Sequence, residues 1–327
     1  MHAPLVVLGG GPGGYAAAFM AADLGMEVTL VEKDTRLGGT CLLRGCIPSK
    51  ALLHVGRVVA EVREMQDWGV HFSAPKIDIN AVRDRKEKVI DALTGGLAQL
   101  AKRRNVKVVQ GQGMFTASNT LEVIQQDAGS QKITFDHCIL ASGSRPARIP
   151  AFDIGSSRVM DSTGALQLED IPESLLVVGG GYIGLEMGTV YAELGSRVSV
   201  VELTDSLLPG ADRDLVKPLH KRLGDLFEAI RLNTKVTGLK DNGNGVDVSF
   251  EGPEGQTTET FSRVLVAVGR RPNSDGIGLE NTNVVMDSKG FVEVDKQQRT
   301  ADSHVLAIGD VCGEPMLAHR ASHQGKV

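Results

Sequence analysis

Cysteine is scarce, with four residues in 327, too few for the disulfide framework of a secreted scaffold. There is no surplus of positive charge either. Thirty-five Lys and Arg against 40 Asp and Glu give a formal net charge of −5 and a pI near 5.9. The electrostatic footprint of nucleic-acid binding is therefore missing, and the scattered charge runs read as solvated faces. Long apolar runs are lacking as well. The opening MHAPLVVLGGG has a short apolar stretch that ends at glycines and no charged leader. Neither a signal peptide nor a membrane span is read from it, and a cytoplasmic location is expected.

What remains is ordinary for a globular chain, 42% apolar and 23% charged, with room for two or three domains. The sequence also contains itself twice. LVVLGGGPGGYAAAFMAADLGMEVTLVEK from Leu5 and LLVVGGGYIGLEMGTVYAELGSRVSVVEL from Leu175 align from end to end without a gap. Each copy predicts an apolar strand, a glycine turn, a helix of small residues, a Leu-Gly stop and a second strand. Gly9 and Gly179 permit the tight turn, Gly11 and Gly181 admit a pyrophosphate, and Gly14 and Gly184 allow close helix–sheet packing. Glu32 and Glu202, in matching places at the end of each second strand, supply a carboxylate that can accept hydrogen bonds from ribose hydroxyls. A carboxylate there repels the extra phosphate of NADP, and Leu203 and Thr204 bring no cation, so the second site favours NAD. Two such units in strand–helix–strand context predict two dinucleotide sites.

Further apolar runs end in ITFDHCILASGSRP and FSRVLVAVGRRPN, where Gly143 and Gly269 stop buried strands close to Arg-Pro. A third, HVLAIGDV, ends at Gly309-Asp310. The expected fold class is α/β, with two Rossmann-like dinucleotide-binding domains. The expected layout is an FAD-binding domain over 1–147 with the redox cysteines, an NAD-binding domain over 148–272, and a return segment over 273–327. Residues 241–260 read as turns and a hairpin without chemistry.

GTCLLRGCIPSK sets Cys41 and Cys46 five positions apart. Zinc would need two more ligands, and Cys138 sits inside a strand while Cys312 stands alone. A staple across so short a loop removes little unfolded-state entropy. Redox chemistry is the favoured reading. On a regular helix this spacing is too wide for a disulfide by roughly 2 Å, so a distorted turn is expected, with Gly45 supplying the freedom. Pro48 suits a first helical turn, which puts Cys46 near a helix N-terminus that stabilises a thiolate, with Lys50 adding charge. Two nucleotide sites beside one redox pair describe an electron path, with FAD in the first site and NAD in the second.

With GGTCLLRGCIPSKALL, GGGYIGLEMGTVYAELG, AVGRRPN, AIGD and PMLAHRA, the chain resembles the dihydrolipoyl dehydrogenases among the pyridine nucleotide–disulfide oxidoreductases, over essentially its whole length. The resemblance implies that Cys46 is the sulfur against the flavin and Cys41 the interchange thiol. Lys50 matches the lysine beside the flavin ring, Glu186 a glutamate near the nicotinamide, and Asp310 the aspartate on the FAD ribityl chain. It further implies oxidation of dihydrolipoamide by NAD, lipoyl domains of 2-oxo acid dehydrogenase complexes as partners, and a homodimer. Glutathione reductases match less well, since Glu202 stands where they carry a basic pocket. A mercuric reductase, another disulfide reductase, or a fragment with only a cofactor-binding or antigenic role stay open as alternatives. Leu43 and Gln324 depart from the family's usual Asn and Glu.

Members of the resembled family extend beyond this length into an interface domain that carries a His–Glu base. The ending PMLAHRASHQGKV reads as an uncapped helix, so a truncated chain with little native turnover is expected. His319 and His323, four apart, are expected to pack in the core or on a cofactor rather than on a metal, and His54 behind the redox pair.

Overall fold

The computed structural model describes residues 1–125 and 129–327. Along the chain come β1 (His2–Leu8), α1 (Pro12–Asp23), β2 (Val28–Glu32), α2 (Gly39–Arg44), α3 (Cys46–Glu64) and α4 (Ile79–Arg103). Strands β3 (Lys107–Gln110), β4 (Gln112–Ala117), β5 (Thr120–Gln125), β6 (Gly129–Leu140) and β7 (Ser144–Pro146) follow. Next are β8 (Val159–Met160), α5 (Ser162–Gln167), β9 (Ser174–Val178), α6 (Tyr182–Leu194), β10 (Arg197–Val201), α7 (Arg213–Leu226) and β11 (Ala229–Arg231). The last are β12 (Lys235–Asp241), β13 (Val246–Gly252), β14 (Gly255–Phe261), β15 (Arg263–Val266), β16 (Arg270–Pro272), β17 (Val305–Ala307) and α8 (Ala318–Gln324). Among the described residues no helix is long and apolar enough to cross a membrane.

These elements form two units, neither contiguous in sequence. The first comprises Met1–Leu43, Ile90–Arg145 and Arg270–Val327; the second comprises Arg44–Val89 and Pro146–Gly269. Residues 44–89 thus join the second unit although they lie between segments of the first. The cause is packing: Leu52 of α3 lies in the core formed by Leu185, Val190 and Tyr191 of α6.

In the first unit the strand order is β3-β2-β1-β6-β5-β4, with β17 also on β6. The strands around β1 are parallel, while β4–β5 and β5–β6 run antiparallel. Successive side chains of β1 alternate between faces. Leu5 and Val7 pack with Ala18, Leu97 and Ala101 of α1 and α4, whereas Val6 and Leu8 pack with Leu121, Ile133 and Val305. Both faces are covered, which explains the unbroken apolar run of this parallel strand. Helix α1 buries Gly13, Gly14, Ala16, Ala17, Ala18 and Ala21, a small-residue surface that lets α8 approach. A Cβ at Gly325 would stand 2.6 Å from the Gly13 carbonyl oxygen. Gly325 stands at the C-cap position of α8 with φ −72°, a right-handed conformation, so it is this close packing on α1 that calls for glycine there.

The second unit repeats the plan with the parallel order β11-β10-β9-β15-β8, plus an antiparallel β12-β13-β14 sheet. Leu175 and Val177 face α6, and Leu176 and Val178 face Val246, Val248 and Phe250 of the antiparallel sheet. The repeat survives in detail. Leu5 pairs with Val28, and Leu175 pairs with Val198, the same register in both copies.

Candidate functional site

Each repeat turns from strand to helix through a glycine with positive φ, +109° at Gly9 and +110° at Gly179. An L side chain rarely adopts that conformation. A Cβ at Gly14 would stand 1.7 Å from the Gly9 oxygen, and one at Gly184 would stand 2.3 Å from the Gly179 oxygen. Gly11 and Gly181 differ. Their φ values are −75° and −78°, a Cβ on Gly11 would meet nothing nearer than 3.7 Å, and one on Gly181 nothing within 4 Å. The protein gives no internal steric reason for glycine at 181. Both helices start there without a side-chain cap, so first-turn N–H groups and the positive end of the helix dipole are available to an anion.

The carboxylates hold these turns. Glu32, 6% exposed, accepts from the Gly10 and Asp34 N–H groups at 2.5 and 2.8 Å. Burial pushes its carboxyl above the ordinary range, opposed by those two N–H donors. Glu202 accepts from the Gly180 N–H at 2.7 Å and from the Thr204 N–H and hydroxyl at 2.8 and 2.9 Å. Each oxygen has two lone pairs, so both Glu32 oxygens and Oε2 of Glu202 keep one to offer, while Oε1 of Glu202 has both engaged by Thr204.

The cysteine stretch is anchored on the first turn. Gly38 N–H donates to Gly10 O at 2.9 Å, and a Cβ on Gly39 would lie 2.5 Å from the Gly11 Cα. Cys41 sits on α2, which starts at that contact. Helix α2 stops at Arg44, Gly45 has φ −151° and ψ −116°, and α3 starts at Cys46 with no side-chain cap. The helical path therefore breaks between the two cysteines, and Cys46 occupies a helix N-terminus. Pro48 falls in that first turn, where its missing N–H costs nothing.

One turn on, Lys50 Nζ donates to Glu186 Oε1 at 2.7 Å and the buried Ser49 hydroxyl donates to Oε2 at 2.5 Å. Further along the same two helices, Arg63 donates to the Glu193 carboxylate and carbonyl at 2.9 and 2.6 Å. Burial raises the Glu193 carboxyl, and the Arg63 charge opposes that rise. The other two cysteines are set apart by their surroundings. Burial pushes the Cys138 thiol up, and the Cys312 thiol up to about 12.

Asp310 lies in the short turn after β17. The Ser144 hydroxyl donates to its Oδ2 at 2.5 Å. Gly143 precedes Ser144 with φ +71°, and Gly269, at the junction before β16, has φ +125°; a Cβ on either would meet nothing within 4 Å. The structure thus groups Gly9, Gly11, Gly14, Glu32, Cys41, Gly143 and Asp310 in the first unit. It groups Cys46, Lys50, Gly179, Gly181, Gly184, Glu186, Glu202 and Gly269 in the second. Sequence reasoning passed over Ser49, Ser144, Arg63 and the Gly38–Gly39 anchor, although a double glycine just before a cysteine helix was a usable signal. His54, His319 and His323 are exposed, so none of them packs in the protein core, which corrects that half of the expectation for His319 and His323 and the placing of His54 behind the redox pair. On α8 the face carrying Ala321 and Gly325 packs on α1, so 319 and 323 face away from it.

The family model of pyridine nucleotide-disulphide oxidoreductases matches residues 3–325. The chain is 50% identical over 328 aligned residues to the dihydrolipoyl dehydrogenase of Vibrio parahaemolyticus, covering 100% of this chain and 69% of that protein. It is 43% identical over 323 residues to that of Bacillus subtilis, covering 98% of this chain and 68% of the relative. Among solved structures, LpdA from Mycobacterium tuberculosis superposes with a TM-score of 0.90 at 27% identity, covering 99% of this chain and 71% of that one. The Cu(II) complex of the HOCl-induced flavoprotein disulfide reductase RclA from Escherichia coli gives 0.87 at 28% identity, covering 100% and 70%. The repeated glycine turns, the cysteine helices and these likenesses agree: the chain belongs to the FAD-dependent pyridine nucleotide–disulphide oxidoreductases and is a homologue of the dihydrolipoyl dehydrogenases.

Proposed function

We propose that the chain oxidises dihydrolipoamide, presented on lipoyl domains, and passes the two electrons to NAD through FAD and a Cys41–Cys46 disulfide. The observation that carries this is the position of Cys46 as the first residue of α3, a helix lashed by Ser49 and Lys50 to Glu186 on the second glycine helix. The names of the relatives favour the lipoyl substrate.

A substrate thiolate attacks Cys41 and displaces Cys46 as a thiolate, giving a mixed disulfide. The second substrate thiol then displaces Cys41, so lipoamide leaves and both cysteines are reduced. The uncapped start of α3 stabilises the Cys46 thiolate. Bound flavin supplies exchange of electron pairs with both a dithiol and a nicotinamide. The FAD-side residues are Gly9, Gly11, Gly14, Glu32, Gly143 and Asp310, with Lys50 charge-paired to Glu186. On the NAD side are Gly179, Gly181, Gly184, Glu202 and Gly269. The open space at Gly181 supports this fit, because a cradle empty of protein atoms suits a pyrophosphate.

Anaerobic mixing with dihydrolipoamide is expected to raise a long-wavelength band as a Cys46 thiolate comes to lie beside the bound flavin, and added NAD is expected to remove it. Glutathione at the same concentration raises no band. An equal band with both thiols would point instead to a disulfide reductase of another specificity.

Coenzyme choice follows from Glu202. The Thr204 hydroxyl is bound to Glu202, and the nearby Arg231 guanidinium is bonded to Glu259 and lies 4.9 Å from the Phe250 ring centroid. Repulsion between Glu202 and a 2′-phosphate, about 4 kcal/mol at 4 Å for two unit charges near a surface, is not offset by those groups. NADH is expected to bind about 1,000-fold more tightly than NADPH, and Glu202→Gln to reduce that ratio to below about tenfold. Equal affinities in the unmodified chain would remove Glu202 from this role.

A further inference from the structure

Arg270 of β16 grips Ser144 of β7 twice, with Nε donating to the hydroxyl oxygen at 2.8 Å and Nη2 donating to the carbonyl at 2.7 Å. A guanidinium only donates, whereas a serine hydroxyl has one proton and can accept as well. Once Oγ accepts from Arg270, its own proton is committed to another acceptor, and that acceptor is Asp310 Oδ2 at 2.5 Å. The neighbourhood fixes both ends. Ser144 is 3% exposed. Asn273 holds the preceding loop by donating from its N–H to Gly143 O and from its amide to Ser142 O, both at 2.9 Å. Gln324 Oε1 accepts from Gly309 N–H at 2.8 Å, where φ is +79°.

A direct Arg–Asp fork would occupy both carboxylate oxygens. Routing the charge through a hydroxyl holds Oδ2 alone, and Oδ1 has no hydrogen-bond donor among the described residues. We propose that Arg270 and Ser144 are positioning residues for the flavin: through the relay Arg270–Ser144–Asp310 they fix one oxygen of Asp310 and keep the other as an acceptor for a hydroxyl of the FAD chain. This rests on the reading of Asp310 as an FAD ligand given above. It also gives a task to Ser144 of ASGSRP and Arg270 of AVGRRPN, which the nucleotide motifs left unexplained.

The test is titration of the flavin-free 327-residue chain with FAD, followed by flavin fluorescence, alongside its melting temperature and its affinity for NADH. Ser144→Ala is expected to raise the FAD dissociation constant about tenfold to hundredfold, the range for a hydrogen bond to a charged group. Arg270→Lys, which can make one of the two bonds, gives an intermediate value. Melting temperature and NADH affinity stay at those of the unmodified chain. In an Asp310→Asn background, Ser144→Ala adds nothing further, because it acts only through Asp310. An equal loss in both backgrounds, or a fall in melting temperature and NADH affinity together with FAD affinity, would overturn the relay in favour of a structural role. No effect of Ser144→Ala beside a large effect of Asp310→Asn sinks the relay alone. No effect of either variant sinks the reading of Asp310 and the relay with it.

Discussion

Gly184→Ala is expected to destabilise the chain by about 4 kcal/mol or more, the upper end of single-substitution effects, and to lower its melting temperature by about 10 °C. The added Cβ would lie 2.3 Å from the Gly179 carbonyl oxygen and 2.9 Å from Val177 Cγ1. Neither is the far end of a flexible side chain. The oxygen belongs to the turn that starts α6, and Val177 is fully buried in β9. Relief requires moving the helix off the sheet, which strips contacts from Leu185 and Val190 in the same core. Gly181→Ala makes the opposite case. Its φ of −78° suits any residue and its Cβ meets nothing within 4 Å, so stability changes by no more than about 1 kcal/mol, the cost of a poorer helix cap. NADH affinity nevertheless falls about tenfold or more, since a methyl intrudes where a pyrophosphate would approach. Thermal melts and NADH titrations of both variants read this out. A stable Gly184→Ala, or a Gly181→Ala that binds NADH normally, contradicts the separation of roles.

Cys46→Ser is expected to slow flavin reduction by dihydrolipoamide by about 10⁴-fold, the scale on which removal of a reacting group acts. A hydroxyl cannot form the disulfide that takes up the substrate's electrons, and its proton is held far too tightly for it to leave as an anion at neutral pH. The substitution is nearly isosteric at a half-buried position, so the fold should persist. Reduction of the same flavin by NADH should survive within about tenfold, because that half of the path uses no thiol. Rapid mixing of the variant with each reductant separates the two halves. Dihydrolipoamide-driven reduction within tenfold of the unmodified rate would remove Cys46 from the path.

Much of the fold was legible because it repeats. The glycine turns at Gly9 and Gly179 carry their own geometric reasons, and Glu32 and Glu202 stand where each second strand must end. Those same carboxylates hold the turn by accepting from Gly10 and Gly180, a duty that no spacing rule announces. What stayed hidden involves partners distant in sequence. Ser49 meets Glu186 across 137 residues and Ser144 meets Asp310 across 166, and one sequence without relatives gives no sign of such pairings. The membership of residues 44–89 in the second unit was hidden for a similar reason. The apolar face of α3, with Leu52, Val59 and Ala60 buried, shows which side packs but not against which helix. Gly325 was overlooked because its requirement comes from Gly13, on a helix at the other end of the chain.

The central claim is that the cysteine at the start of α3 works against a bound flavin. An anaerobic reductive titration of the 327-residue chain, followed by visible absorbance, tests it most directly. The account predicts a yellow, flavin-loaded chain that develops a long-wavelength band after two electrons, as a Cys46 thiolate comes to lie beside the ring. Bound flavin that bleaches without that band would contradict it, because the Cys41–Cys46 pair would then stand outside the electron path.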